Sequence, residues 1–330
     1  MSCRTVGETS SRGLAALLLA WPVLGLLVLM APLPHAVAQP ATAAEPLRWK
    51  LKEGESLPYT MVQELSQETK DAARSARLTT KQTVELHWSV KGVSSEGVAD
   101  MTWAIDRLRA KVDLPAAEKA NQPAAGFEYD SQSGKDPEGP LAASMTPLLK
   151  ALVGAEFSVK MNARGEYQDV KLPQKLVDSL RQGAGAAGAA DPGENFKGMI
   201  NQVSLVLPEA APAKGDSWSN QSRFPMPPLG TLVWNRRFTF DGSVPDAANL
   251  RRISLDTKIS LEPAAGSDVA VKLTSGQRTG EYIFDAQAGR IVSSRVDEKL
   301  QMSFSAQGQN IEQTTATVTT MTLGRGGQAK

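Results

Sequence analysis

Residues 252–262 read RISLDTKISLE: Ile253, Leu255, Ile259 and Leu261 fall on one phase, and Arg252, Asp256, Lys258 and Glu262 on the other. A β-strand sends successive side chains to opposite faces, so this stretch predicts a strand with one dry and one wet side. That two-faced pattern belongs to antiparallel sheet, because parallel sheets are covered on both sides. The same rhythm runs through LRWKLKE (47–53), where Leu47, Trp49 and Leu51 oppose Arg48, Lys50 and Lys52. In TVELHWSVK (83–91), Val84, Leu86, Trp88 and Val90 share a phase. Between 98 and 114 the phase slips, from Met101, Trp103 and Ile105 to Leu108, Ala110, Val112 and Leu114. A one-residue slip inside a continuous strand predicts a β-bulge, and bulges bend sheets.

The middle of the chain changes period. TPLLKALVG (146–154) offers Thr146 as N-cap, Pro147 at the first helical position and Gly154 as stop. In PQKLVDSLRQG (173–183), Leu176, Val177 and Leu180 share a helical face. DPGENFKGMINQVSLVLP (191–208) opens on a capping pattern and spaces Phe196, Met199, Ile200 and Val203 helically. Two β-rich stretches, about 46–172 and 215–323, flank this region and share a faint repeat: a Trp-bearing first strand, a long amphipathic pair and a hairpin. The expectation is an α+β, mainly β fold: a large curved antiparallel sheet, half-barrel-like, with a central helical insert. It occupies one domain, 46–323, with the insert at about 141–207, a linker at 39–45 and a flexible tail at 324–330.

Two hairpins, FSVKMNARGEYQDV (157–170) and EYIFDAQAGRIVS (281–293), invite a ligand reading. A calcium loop needs several alternating carboxylates, and these carry one Asp or Asn apiece. Asp285 or Asn162 folding back on the backbone, with Gly289 or Gly165 closing the turn, makes them corners of the sheet.

The first 38 residues have another character. Arg4 and Arg12 precede the uncharged run GLAALLLAWPVLGLLVLMAPLP (13–34), and Ala36-Val37-Ala38 has the small-x-small form a signal peptidase reads. Residues 1–38 are therefore expected to be a signal peptide. The alternative is an uncleaved anchor over 13–33, a stretch long enough to span a bilayer. Either way the body is exported, to the periplasm or cell envelope, touching membrane only through the N-terminal segment. Cys3, the only cysteine, lies upstream of the apolar run, so a chain starting at Gln39 has neither thiol nor disulfide. Export would remove Arg4, Arg12 and Glu8, leaving 34 basic and 34 acidic residues of the 36 and 35. That balance, without a basic run, argues against nucleic acid.

Several motifs resemble chemistry. GAGAAG (183–188) matches a dinucleotide fingerprint but follows a helix, whereas the fingerprint must follow a strand. GDSW (215–218) has the opening of a serine esterase, yet Ser217 needs a base, and the single histidine beyond residue 38, His87, sits on the polar phase of its strand. One histidine and no cysteine leave no zinc, copper or haem site built from those ligands, and no cofactor is expected. A glycosidase needs only two carboxylates, and no pair is singled out. One irregularity remains. In LVWNRRFTF (232–240), Arg236 shares the phase of Leu232, Trp234, Phe238 and Phe240. In VDEKLQMSF (296–304), Glu298 shares the phase of Val296, Leu300, Met302 and Phe304. If both phases face inward, Arg236 and Glu298 must pair with each other or with a ligand, as a cavity site; the plainer alternative places both at sheet ends, in water.

LRWKLKEG, FEYDS (127–131), LVGAEFSVKMNARGEYQDV (152–170), LPEAAPAKGDSW (207–218) and YIFDAQAGRI together resemble an uncharacterised family of exported bacterial proteins known as a domain of unknown function. The likeness spans nearly all of 46–323 and implies export and a β-rich domain, with no catalytic residues to transfer. A looser architectural likeness is to the periplasmic lipoprotein carriers, from which the central clustering of helices departs. The functional expectation is a non-enzymatic exported envelope protein, a binding or carrier module for a lipid or other amphiphile. The alternatives are a carboxylate-dependent hydrolase of envelope polysaccharide and a structural protein that only contacts other envelope proteins.

Overall fold

Alternation becomes antiparallel pairing in the computed structural model, which describes residues 45–72, 75–114, 126–184, 205–226, 229–267, 269–306 and 309–324. The N-terminal strands are β1 (Ser56–Lys70), β2 (Ser75–Val93), β3 (Ala99–Asp113) and the short β4 (Phe127–Asp130). Helix α1 (Pro140–Leu152), the hairpin β5 (Glu156–Met161) and β6 (Tyr167–Lys171), and helix α2 (Gln174–Ala184) follow. The C-terminal half is a meander: β7 (Ser217–Met226), β8 (Gly230–Val244), β9 (Ala247–Pro263), β10 (Ala270–Asp285), β11 (Arg290–Ala306) and β12 (Gln309–Leu323). All belong to one open 12-stranded sheet ordered β6-β5-β3-β2-β1-β12-β11-β10-β9-β8-β7, with β4 beside β3. The two halves meet where β1 pairs antiparallel with β12, from Tyr59 opposite Leu323 to Lys70 opposite Glu312.

The sheet curls toward its apolar face. Trp49 lies 5.7 Å from Trp88 on β2 and 5.8 Å from Phe284 on β10, ring to ring. Three strands separate β2 from β10, and a flat sheet would hold them about 19 Å apart at about 4.8 Å per strand. Tyr59 likewise reaches across β12 to donate from its hydroxyl to the Ile291 carbonyl at 3.1 Å. The slip read between Ile105 and Leu108 is a β-bulge: Glu85 faces Arg107 and Leu86 faces Ile105, leaving Asp106 as the extra residue. Further register shifts at Phe240/Gly242 and Ile283/Phe284 bend the C-terminal half.

The helices depart from expectation in two ways. The insert expected at 141–207 is not continuous, because β5 and β6 lie between α1 and α2 and pair into the main sheet. α1 also starts earlier than Thr146: Pro140 occupies the first turn after Gly139, and Thr146 and Pro147 lie inside the helix. Leu141 to Met145 are good helix formers apart from one serine, so the run extends back to the preceding Gly-Pro signal. Pro147 leaves one carbonyl of the first turn without its usual partner. The predicted helix over 173–183 matches α2, whose Leu176 is buried. Residues 185–204, holding most of GAGAAG and of the stretch 191–208, lie outside the described residues, as do 1–44. The last residues of that stretch, Leu205 to Leu207, are buried coil.

Both hairpins are corners, and each holds the chain itself. Asn162 Oδ1 accepts from the N–H groups of Arg164 (2.9 Å) and Glu166 (3.0 Å); Asp285 Oδ1 accepts from those of Gln287 (2.9 Å) and Ala288 (2.8 Å). Gly165 and Gly289 take φ of +88° and +66°, as the turn reading requires. The coil before β1 then crosses from one corner to the other: Trp49 donates its N–H to Ala163 and Lys50 to Gly289, at 2.8 and 3.0 Å. A second coil joins them, Leu207 donating to Arg164 (2.8 Å) while the Trp218 indole donates to Val206 (2.6 Å). One end of the half-barrel is thus closed by backbone.

Candidate functional site: a polar band across the concave face

Strand register assigns every inward side chain. The outward face is wet and laced with exposed pairs such as Lys81–Glu64 (2.5 Å) and Arg109–Glu85 (2.7 Å). His87 is on that face, paired with the bulge residue Asp106 at 2.8 Å, as its polar phase predicts. Ser217 accepts hydrogen bonds from Arg237 at 2.9 and 3.2 Å, and Asp216 caps the turn before it by accepting from the Ala213 N–H. GDSW is a strand entry.

The concave face is apolar at both ends. At the closed end Trp88 stacks on Trp103 at 4.9 Å, with Tyr59, Trp49, Phe238, Tyr282 and Phe284 in the same cluster. Toward the other end, the C-terminal half presents Leu232, Trp234, Ile259, Leu300, Met302 and Phe304. In the N-terminal half, Met61, Val84, Leu108, Val112, Phe127 and Tyr129 pack against Ala142 and Leu149 of α1.

Between these ends a polar row crosses the sheet. Asn220 faces Arg236, Arg236 faces Thr257, Thr257 faces Arg278, and Arg278 faces Glu298, on five successive strands from β7 to β11. Arg236, Arg278 and Glu298 carry charge into the middle of this row, while Arg251, opposite Phe284, shares the phase near the start of β9. Arg236 is 1% exposed, buried in the middle of β8 rather than reaching water at a strand end. It donates to Asn220 Oδ1 from Nε (3.0 Å) and Nη2 (2.5 Å), and its guanidinium lies 5.7 Å from the Phe238 ring. Burial pushes its pKa down to about 9, the Tyr282 phenol opposing and Arg278 adding to that shift. It stays cationic at neutral pH.

Glu298 also faces inward but does not meet Arg236, since β9 and β10 lie between them. Its partner is Arg278, at 3.4 Å, with side chains 20% and 9% exposed respectively. Burial raises the Glu298 carboxyl above the usual range, against the pull of Arg278. Sequence phase singled out both members of the expected pair and missed Arg278. On β10 the inward positions beside Arg278 are Gly276 and Gly280, so no apolar run marked that phase. An arginine two residues from a glycine on either side, in a strand otherwise paired along its length, was the available signal.

The band is under-satisfied. Asn220 Nδ2, Ser222 Oγ, Thr257 Oγ1, Arg278 Nε and Trp234 Nε1 are buried without a hydrogen-bond partner. Ser222 faces Trp234 in register, next to Asn220 and Arg236, so these five atoms belong to one patch on β7–β10. Each orphaned group costs about 1–3 kcal/mol, and native structures leave few of them. Other orphans, such as Thr80 Oγ1 and Trp103 Nε1, lie in the N-terminal half, where the register of the described strands β1–β3 directs no charged side chain to the concave face. No group of three or more His, Cys, Asp or Glu poised to hold a metal occurs among the described residues.

Among solved structures, a lipovitellin studied for its lipid–protein interactions is similar at 11% identity and a TM-score of 0.46, over 85% of this chain and 27% of that one. An outer membrane channel from Pseudomonas putida F1 is similar at 8% identity and a TM-score of 0.24, over 87% of this chain and 100% of that one. This chain thus spans about a quarter of the lipovitellin chain it matches. No curated protein matches the sequence. A family model matches residues 111–291, more than half of the chain, which therefore belongs to the family of unknown function DUF6263.

Proposed function

We propose that this chain is an exported, non-enzymatic binding or carrier module whose concave face receives an apolar or amphiphilic ligand. The observation that carries the reading is the two-sidedness of the sheet. Its convex side is charged, with Arg252, Asp256, Lys258 and Glu262 outward on β9, while the concave side gathers aromatic and aliphatic groups around a buried polar band. A membrane barrel has the reverse polarity, apolar outside and polar within. The charged convex surface favours water around the sheet and the ligand inside the curl. No described helix is long and apolar enough to cross a membrane. Export rests on Arg4, Arg12, the apolar run 13–34 and Ala36-Val37-Ala38.

The lack of a catalytic role rests on the residues: His87 and Ser217 are engaged on the outer face, and Glu298 is the single carboxylate that the register of β1–β12 directs inward. Native mass spectrometry of protein purified from its own envelope tests the reading. The expected species is the polypeptide from Gln39 plus one small amphiphile, released by organic extraction. A bare polypeptide that also fails to bind added fluorescent acyl probes would overturn it.

A further inference from the structure

We infer that the concave floor along β12 is a receiving site for a neutral polyhydroxyl head group, the glycerol or sugar of a nonionic amphiphile. This rests on the carrier reading and specifies its ligand. Register turns Thr315, Thr317 and Thr319 inward, with Thr317 between Glu298 on β11 and Leu65 on β1. All three threonines are half-buried, whereas their β1 neighbours Gln67, Leu65 and Gln63 are buried. The backbone of a central strand is covered by its neighbours, so this exposure belongs to inward side chains that solvent reaches. The Glu298 side chain beside them is 20% exposed, so water reaches the wall as well as the floor. Threonine is shorter than the leucine and glutamines alongside, and three in phase leave a furrow about 14 Å long at about 3.4 Å per residue.

The chemistry of the furrow selects the head group. From β11 across β12 and β1 to β2, Glu298 is the single charged side chain that register directs inward, and Arg278 on β10 already faces it at 3.4 Å. A charged head would enter without a counter-ion, whereas a neutral one leaves the pair intact. The row through Thr317 also carries unmet hydrogen-bonding groups on both sides. One is Arg278 Nε, in a residue 7% exposed; the other is Thr80 Oγ1, which lies beyond Leu65 in a residue 5% exposed. Arg278 Nε donates only, while the threonine hydroxyls donate and accept. Hydroxyl groups do both, so a polyol matches this mixed lining where an acceptor-only carboxylate answers half of it. The attached chain then follows Met321 and Leu323, which continue the inward phase of β12 toward the closed end.

The test is calorimetric titration of the delipidated protein with octyl glucoside, octanoate, octyltrimethylammonium and glucose, each amphiphile below its micelle-forming concentration. The glucoside is expected to bind at least about tenfold tighter than either ion, since a charge loses more hydration on entry than a hydroxyl does. Glucose is expected to bind weakly, having no chain to bury. Thr317→Val keeps the shape and removes one hydroxyl, and is expected to weaken the glucoside about two- to tenfold while leaving octanoate unchanged. Thr317→Leu fills the furrow, and is expected to abolish glucoside binding with the thermal midpoint unchanged or raised. A lowered midpoint in that variant is the mark of overpacking and would show the furrow to be already filled, overturning the site. Unweakened glucoside binding by Thr317→Val overturns it too. Either ion binding as tightly as the glucoside sinks the head-group assignment while the carrier reading stands. Binding of no amphiphile sinks both, and glucose as tight as the glucoside replaces the amphiphile with a free sugar.

Discussion

The two halves of the sheet are built alike and buried differently. Each is an antiparallel run with an aromatic closed end and a turn that clasps the coil around Trp49. In the N-terminal half, the polar residues buried on the inward phase are neutral: Gln63, Gln67, Thr80 and Gln82. In the C-terminal half the corresponding depth holds Arg236, Arg278 and Glu298. Neutral amides and hydroxyls fit a packed interior once hydrogen-bonded, whereas buried cations demand a counter-charge. The difference teaches that one architecture can bury neutral polar groups on one side and charged ones on the other, so the two halves of the same sheet place different demands on their interiors.

Breaking the charged half gives the largest expected effect. Arg278→Met alone leaves Glu298 inward without its partner and should cost about 3–5 kcal/mol by urea unfolding, while adding Glu298→Gln should recover most of the loss. Comparable damage to the double variant would mean that packing, not charge, sets the value of that position.

The corners test whether the halves are held alike. An added Cβ on Gly289 would lie 2.4 Å from the Lys50 nitrogen, and one on Gly165 would lie 2.6 Å from both the Leu205 carbonyl and the Trp49 indole nitrogen. Both also need positive φ. Either Gly→Ala change should lower stability by about 2–4 kcal/mol. Gly134→Ala, equally left-handed at φ +67° but with open space around it, should lose only about 1–2 kcal/mol. Three equal losses would show that the coil is not clasped.

A matched pair of threonines sharpens the contrast. Thr80 and Thr257 are both buried with unpartnered hydroxyls, one in each half. Valine at either should leave the thermal midpoint of the ligand-free protein unchanged or raised, because an unmet polar group is removed. A loss of stability at Thr257 without ligand would mean that its hydroxyl already serves the fold.

The pH response should be the subtlest readout, because the halves bend it in opposite senses. Hydrogen bonds from Arg107, then from the Gln132 N–H, hold Asp130 at about 2. A depressed acid adds stability above its unfolded pKa that is lost as pH falls toward the folded value. Asp130→Asn should therefore flatten the acid limb between about pH 4 and 2. Glu298 is raised by burial, so the native state keeps its proton longer than the unfolded chain. Its share is largest below about pH 4 and declines as pH rises through the raised pKa; Glu298→Gln should remove that decline. Thermal midpoints across pH, for both variants, separate the two.

Much of this was legible in the chain itself. Alternation in 83–91 and 252–262 assigned inside and outside correctly, since a residue's face follows from its parity within a strand, whereas 47–53 alternates in burial as coil rather than as the strand its pattern predicted. The phase slip after Ile105 located the bulge at Asp106, and the Asn/Asp-to-Gly spacing located both corners. Those signals are local, encoded within a few residues of where they act. Sequence phase also grouped Arg236 and Glu298 with apolar neighbours, leaving open whether they faced inward or reached water at sheet ends.

Tertiary structure alone decided their partners. Strand parity carries no information on which strand lies alongside which, so nothing local says that β1 pairs with β12 or that two strands stand between Arg236 and Glu298. Nor does it show that a polar row lines up across five strands. Pairing is settled by long-range burial and register, a property of the assembled sheet that no single strand contains.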